Sequence, residues 1–318
     1  MRARVRRHPL LSQVVVSYAF SWVLWIPAVL AWRLGCDPDE APWWLLLVAL
    51  VGSYGPSVAA VVVTAVQGGR AAVGTLFSRF RIWRVGLRWY LVVLAAPPLA
   101  LAVAMTSHVV QGHSLGRFDP GQWPLVLGLP LLALPFGPLG EELGWRGYAL
   151  PALQSRHTAL TSSVILGVVW TFWHLPAFWA PSGTLISGSP VTVGAVAFYL
   201  VFTIGLTILM TWIFNNTNGS LPLAVLFHAM TGAGILFPLF PDLTDTAIAL
   251  ITRANVYPVW AMAGLVILLC GGRSLAGNLS PQTATAVSPV ITRRGPARRR
   301  QRLAPPMSHA APVEEAPE

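Results

Sequence analysis

Two neighbouring carboxylates, Glu141 and Glu142, end a long apolar run, and Arg146 follows within one helical turn. A charged side chain at the centre of a membrane helix costs at least about 2.5–3.5 kcal/mol, so such residues indicate a functional site by default. On a helix, Glu142 and Arg146 are i,i+4 neighbours that can pair. Adjacent residues point about 100° apart, so we expect one carboxylate to face a cavity while Arg146 neutralises the other. The alternative is an ion pair beside the lipid headgroups.

Two histidines lie in later apolar segments, His174 within 170–176 and His228 within 226–232. A single histidine in such a segment is often only a hydrogen-bonded core residue. Two histidines that accompany two glutamates at membrane depth favour a polar site inside the bundle.

These side chains support two kinds of hydrolytic chemistry. In the first, a carboxylate acts as a general base for water, one histidine orients that water, and the other stabilises an oxyanion. In the second, Glu141, His174 and His228 are zinc ligands, since two histidines and one glutamate form a known hydrolytic zinc site. The chain has no His-Glu-x-x-His segment, the usual zinc-protease helix.

The composition requires these residues to be positioned by membrane helices. Of the 318 residues, 55% are hydrophobic and 10% are charged, and the mean hydropathy is +0.63. Soluble domains carry about 25% charged residues, so the composition excludes an ordinary soluble protein. The net charge of +10 comes from arginine alone. Because the arginines flank apolar runs, they indicate a lipid bilayer rather than nucleic acid as the partner.

The sequence predicts an all-α, polytopic membrane protein with about eight transmembrane helices. The first run follows a basic start but is too long for a signal peptide, so we expect it to be retained. Two cysteines, Cys36 and Cys270, give neither a disulfide framework nor a metal-binding spacing. The predicted spans are 10–32, 43–66, 89–110, 123–140, 159–179, 191–214, 221–240 and 256–270.

The depth of the polar residues modifies the fourth span. Extending its helix through Leu150 places Glu141 roughly 14 Å from the cytoplasmic end, at 1.5 Å per residue. On the same rise, His174 lies roughly 23 Å from the start of span five, and His228 roughly 11 Å from the start of span seven. A tilted or displaced helix five is therefore expected.

The arginine distribution predicts that both termini are cytoplasmic. The predicted outer connectors hold only three arginines, whereas the other arginines lie in the predicted inner segments and tails. We divide the chain into a basic cytoplasmic segment 1–9, a transmembrane domain 10–272 with its functional core at about 125–239, and a basic tail 273–318. The tail is rich in Pro, Ala, Arg and Ser and is predicted to be disordered.

Three motifs in order, Glu-Glu-x-x-x-Arg, aromatic-x-x-x-His and a later intramembrane His, resemble the CPBP (ABI, CAAX-protease and bacteriocin-processing) family of intramembrane glutamic endopeptidases, which includes Rce1-like enzymes. The resemblance covers about 125–239 and implies an eight-helix bundle with a site that faces the cytosol. It implies that Glu141 activates water, that His174 assists, that His228 donates to the oxyanion, and that Glu142 with Arg146 supports the geometry.

Two positions depart from the family pattern. Trp170 stands where Phe is usual, which is a mild change. Gly232 stands where the family often has Asn, an expected second oxyanion donor whose loss typically lowers the rate by about 10²–10³-fold. Thr231 is a candidate replacement.

We therefore predict an endopeptidase that hydrolyses a peptide bond near the cytoplasmic membrane face, in a bacterial plasma membrane. Its partners are the bilayer and a peptide or protein substrate, membrane-associated ones included, with no nucleic acid and no cofactor; zinc is the alternative. The alternative functions are a catalytically impaired relative that acts in binding or immunity, and a proton-coupled transporter. A transporter typically has internal repeats, and none is evident.

Overall fold

A computed structural model of the protein describes residues 2–35, 43–179, 192–232, 234–277 and 281–283, and this part of the chain is helical without a β-strand. Cys36 lies outside the described residues, and Cys270 is a free thiol. The helices are α1 (Arg2–Arg7), α2 (Pro9–Gly35), α3 (Trp43–Ser53), α4 (Gly55–Ser78), α5 (Leu87–Val110), α6 (Trp123–Ala133), α7 (Pro138–Gly144), α8 (Leu150–Gln154), α9 (Ala159–Trp173), α10 (Val193–Asn216), α11 (Leu221–Gly232), α12 (Asp245–Ala254) and α13 (Val256–Cys270).

The polytopic helical fold predicted from composition is confirmed. Within the described ranges, six helical segments are long and apolar enough to cross a membrane, and a bent pair formed by 120–136 and 138–154 makes a seventh. The remaining predicted span, 159–179, contains α9, which is apolar but has only 15 residues. A core of large apolar side chains from α4, α5 and α7 to α13 joins these helices.

The fourth predicted span is broken rather than continuous. Its two halves, α6 and the helix that begins with α7, meet at an angle of 52°. Gly137 lies at the break, and Pro138 is the first residue of α7, where its missing N–H is tolerated. Beyond Gly144 the helix continues through one π-helical turn (Trp145–Ala149) into α8. The predicted extension of this helix past Gly140 is therefore correct, and the helix continues beyond Leu150 to Gln154.

The fifth predicted span, 159–179, ends earlier than expected. Helix α9 ends at Trp173, His174 caps it, and a short 3₁₀ turn (Leu175–Trp179) follows. Pro176 explains the end, because its ring clashes with the carbonyl four residues earlier and it has no N–H to donate. His174 therefore lies at the end of a helix and not in its middle.

These changes resolve the predicted mismatch in depth. Glu141 is thirteen residues from the end of α8, roughly 20 Å, and His174 is fifteen residues from the start of α9, roughly 22 Å. Leu221, the first residue of α11, packs beside Gly147, which lies about 10 Å along its helix from Gln154, the end of α8. His228 lies about 10 Å further along α11 from Leu221. The three residues reach one level without a displaced helix.

Helix α7 lies directly on the junction of α3 and α4. A Cβ added at Gly140 would lie 2.7 Å from the backbone oxygen of Ser53, and one at Gly144 would overlap the backbone of Pro56. Small residues four positions apart let two helix backbones approach closely. The glutamates between these glycines therefore have a fixed position relative to α4.

Three further predictions need correction. The second predicted span is two helices with a break at Tyr54, and the helix runs to Ser78 through a kink at Gly69, whose φ is +66°. Arg79, one of the arginines placed in the predicted inner segments, is buried, with its guanidinium carbon 5.3 Å from the ring centroid of Phe214. The connector before the last span contains the amphipathic helix α12.

Part of the segment 273–318, predicted to be a disordered tail, is ordered. The Arg273 backbone oxygen accepts a hydrogen bond from the N–H of Ala159, and the Gln282 oxygen accepts one from the side chain of Gln154. Backbone groups satisfied in this way order the segment. Residues 284–318 lie outside the described part of the chain.

Candidate active site

Glu142, Arg146 and His228 form a buried charged group. The Arg146 Nη1 atom donates to Glu142 Oε1 at 2.9 Å, and both side chains are fully buried. This confirms the i,i+4 pair predicted from the spacing. His228 Nδ1 lies 2.8 Å from the same oxygen, although 86 residues separate the two in sequence. Glu142 thus connects α7, the π-helical turn and α11.

Glu141 faces a different direction and has a different partner. Its Oε2 atom accepts a hydrogen bond from the indole Nε1–H of Trp170 at 2.5 Å, and both residues are almost fully buried. The two adjacent glutamates therefore have different tasks, because Glu142 binds the arginine and Glu141 does not.

His174 is held through its backbone-facing nitrogen. Its Nδ1 lies 2.9 Å from the backbone oxygen of Trp170. A carbonyl oxygen only accepts, so Nδ1 carries the proton, and in neutral imidazole Nε2 is left with a free lone pair. Tyr199 of α10 stands against the other side of the ring, with centroids 5.6 Å apart. His174 can thus accept a proton or a hydrogen bond at Nε2.

The ring of Trp170 lies in the middle of the group. The guanidinium carbon of Arg146 stands 4.5 Å from its centroid, His228 meets it edge-on at 5.2 Å, and His174 lies 5.8 Å away. All five residues predicted for the site, Glu141, Glu142, Arg146, His174 and His228, are therefore around one indole.

Gly137 borders the space between Glu141 and His228. A Cβ at this position would lie 3.1 Å from Glu141 Oε1 and 4.0 Å from His228 Nε2. Oε1, the carboxylate oxygen not bound by Trp170, thus faces the same space as the free nitrogen of His228. Both atoms therefore border the helix break at Gly137.

The position of the expected second oxyanion donor is open. Gly232 is the last residue of α11, and a Cβ there would have no heavy atom within 4 Å. Thr231 does not replace the missing amide, because its hydroxyl donates to the backbone oxygen of His228 at 2.8 Å. His228 is therefore the side-chain donor that this part of α11 provides.

The zinc alternative stays a prediction. Among the described residues, no group of three His, Cys, Asp or Glu side chains has an arrangement that can hold a metal ion. We therefore derive no step through a metal.

Sequence reasoning missed three residues that shape the site. Trp170 was noted only as a variant of Phe, and its N–H partner is 29 residues away. Gly137 had a local signal, because it stands between Pro135 and Pro138 in a run otherwise assigned to one helix. Tyr199 had none, since a tyrosine in an apolar span is ordinary.

Two comparisons with known proteins agree on one family. Residues 122–233, which contain all five predicted site residues, match the model of the family described as Type II CAAX prenyl endopeptidase Rce1-like. The chain is also similar to the CAAX prenyl protease 2 of Methanococcus maripaludis, with 27% identity over 193 residues, which cover 58% of this chain and 69% of the relative.

Proposed function

We propose that this chain, which is similar to Rce1-like CAAX prenyl endopeptidases over residues 122–233, hydrolyses a peptide bond with water activated by Glu141. The observation that carries the proposal is the grouping of Glu141, His174 and His228 around Trp170 inside an apolar bundle. A base, an orienting acceptor and an oxyanion donor are the parts that such a reaction needs.

Glu141 is the general base of this mechanism. Trp170 binds its Oε2, so Oε1 is the atom available to a water molecule in the space beside Gly137. His174 presents a lone pair at Nε2, because its Nδ1 proton is directed to the Trp170 carbonyl. Two acceptors on one water fix its orientation and direct an oxygen lone pair at the substrate carbonyl.

His228 is the oxyanion donor. Its Nδ1 faces the Glu142 oxygen that also accepts from Arg146, so Nδ1 donates. Donation from Nε2 as well requires the imidazolium form. The shared Glu142 oxygen stabilises that cation, so the Glu142–Arg146 pair acts on the substrate through His228 and not by contact.

The proposed reaction then balances without a further reactant. Water forms a C–O bond to the carbonyl carbon and gives its proton to Glu141 Oε1, while His228 Nε2–H stabilises the oxyanion. Collapse of the tetrahedral intermediate breaks the C–N bond, and Glu141 returns the proton to the leaving nitrogen. Glu141 is again a carboxylate at the end.

We propose a membrane-associated peptide as the substrate, cleaved near the cytoplasmic face. The arginine distribution supports this orientation, with both termini cytoplasmic. The relative carries the name of a prenyl protease, so a farnesylated peptide with a C-terminal CAAX sequence is the first substrate to test. An unlipidated peptide of the same sequence distinguishes recognition of the lipid from recognition of the peptide.

The test is cleavage of both peptides by the protein in liposomes. We expect Glu141→Gln and His174→Ala to lose at least about 100-fold in kcat. The control variants Asp245→Asn and His157→Ala, at exposed positions, should keep wild-type activity. Undiminished cleavage by Glu141→Gln would refute the mechanism.

The same assay tests metal dependence. We expect no loss of activity after treatment with a chelator, because the described side chains do not form a metal site. Loss that added zinc restores would refute the metal-free mechanism and favour a zinc site at Glu141, His174 and His228.

A further inference from the structure

We propose that Trp170 is a positioning residue for Glu141, whose indole N–H selects the carboxylate oxygen that reaches the substrate. This deepens the proposed function and rests on Glu141 being its general base. The motif requires only an aromatic residue at this position, and Phe has no N–H to donate.

The first step of the argument is the hydrogen bond itself. The Trp170 Nε1 atom lies 2.5 Å from Glu141 Oε2, shorter than the usual 2.7–3.2 Å of N–H···O bonds. Trp170 is 3% exposed and Glu141 is 3% exposed, so water does not compete for the bond. Charge-assisted bonds in such surroundings are about twice as strong as neutral ones.

The second step is what the bond leaves free. A glutamate side chain has three rotatable bonds, and a base must be held in one geometry to act. With Oε2 bound to Trp170, Oε1 faces the space at Gly137, opposite Nε2 of His228. No other side chain is described as donating a hydrogen bond to Glu141, so the indole is what selects this rotamer.

The third step is that the indole is itself fixed. Arg146 stands 4.5 Å from the ring centroid, and the edge of His228 packs at 5.2 Å. A cation over the face and an edge-to-face ring both restrict the indole plane. The backbone oxygen of the same residue binds His174 Nδ1. Trp170 thus sets the relative positions of the base and of the histidine that assists it.

The experiment compares two replacements at position 170. Trp170→Phe removes the N–H and part of the ring. Incorporation of benzothienylalanine at position 170 keeps the shape of the indole and replaces the N–H with sulfur. We expect both to lower kcat on the peptide substrate by about 10–100-fold with KM within about twofold, the loss of a hydrogen bond to a charged group.

A pH profile separates positioning from packing. The N–H stabilises ionised Glu141, so its removal should move the acid limb of kcat to higher pH. The control is Trp260→Phe, which removes an indole N–H that donates to the backbone oxygen of Val201 at 2.9 Å. This variant should change neither kcat nor the pH of its acid limb.

A second measurement does not depend on a substrate. Infrared difference spectra of the carboxyl band, assigned by its loss in Glu141→Gln, report the pH at which Glu141 is protonated. We expect this midpoint to rise in both position-170 variants and to stay constant in Trp260→Phe. If the wild type cleaves no peptide, the proposed function fails, and the infrared midpoint still decides the role of Trp170.

Three results would overturn the proposal. They are wild-type kcat in the benzothienylalanine protein, an acid limb that stays in place while kcat falls, and an infrared midpoint that does not move. The first and second would mean that the ring matters only as packing, and the third that the N–H does not act on the Glu141 carboxylate.

Discussion

Neutralising both partners of the buried Glu142–Arg146 pair should destabilise the protein less than the two single neutralisations predict when added. The two side chains have no exposed surface, and their closest atoms are 2.9 Å apart. Removing one partner of a buried ion pair leaves an uncompensated charge and typically costs about 3–5 kcal/mol. Glu142→Gln and Arg146→Gln should each have this cost. The double variant has neither charge of the pair, so it should lose less than the sum of about 6–10 kcal/mol.

The coupling between the two substitutions is the quantity to measure. Residues in direct contact show interaction energies of about 0.5–3 kcal/mol, and complete burial places this pair at the upper end. At roughly 2 °C per kcal/mol for a chain of this size, each single variant should melt about 6–10 °C lower. The double variant should melt less far below wild type than the sum of the two single shifts.

The assay is thermal unfolding in detergent, followed by intrinsic tryptophan fluorescence. Arg117→Gln is the matched control, because Arg117 pairs with Asp119 at 3.9 Å with 65% of its side chain exposed. A surface pair contributes about 0–1 kcal/mol, so this variant should melt within about 2 °C of wild type. Additive losses in the Glu142 and Arg146 variants, within about 0.5 kcal/mol, would refute the reasoning.

Three glycine substitutions give further tests. Gly232→Asn places an amide where there is open space and should raise kcat by up to about 100-fold; unchanged kcat would mean that position 232 cannot supply a donor. Gly137→Ala puts a methyl 3.1 Å from Glu141 Oε1 and should lower kcat at least about 10-fold at unchanged melting temperature. Its control is Gly128→Ala, where the added methyl has open space. Equal activity of the two variants would contradict the proposed placement of the substrate beside Gly137. Gly144→Ala overlaps the Pro56 backbone and should cost about 1–3 kcal/mol by thermal unfolding, whereas Gly264→Ala in α13 has room and should not destabilise.

Local rules in the sequence predicted much of the fold and part of the site. The apolar runs predicted the helices, and the i,i+4 spacing predicted the Glu142–Arg146 pair, because both depend on residues close in sequence. The same rules would have ended α9 at Pro176, had the proline been weighed against the apolar run.

Contacts between distant residues could not be predicted in this way. The bond from Trp170 to Glu141 joins α9 to α7, and the close approach of Gly144 to Pro56 joins positions 88 residues apart. Each depends on how the helices cross, which the composition of either segment does not determine. The bend at Gly137 differs from these contacts, because Pro135 and Pro138 beside it are a local signal in the sequence.

The glycine contact of α7 limits how the chain can tolerate mutation. The nearest atoms to an added Cβ at Gly140 or Gly144 belong to the backbone of Ser53 and Pro56. A smaller side chain in the facing helix therefore cannot compensate for a larger residue at either position. Only a shift of the whole helix can, and that shift would carry Glu141 and Glu142 away from Trp170 and His228. Selection for the close packing of α7 and selection for the positions of the two glutamates therefore act on the same seven residues, Pro138–Gly144.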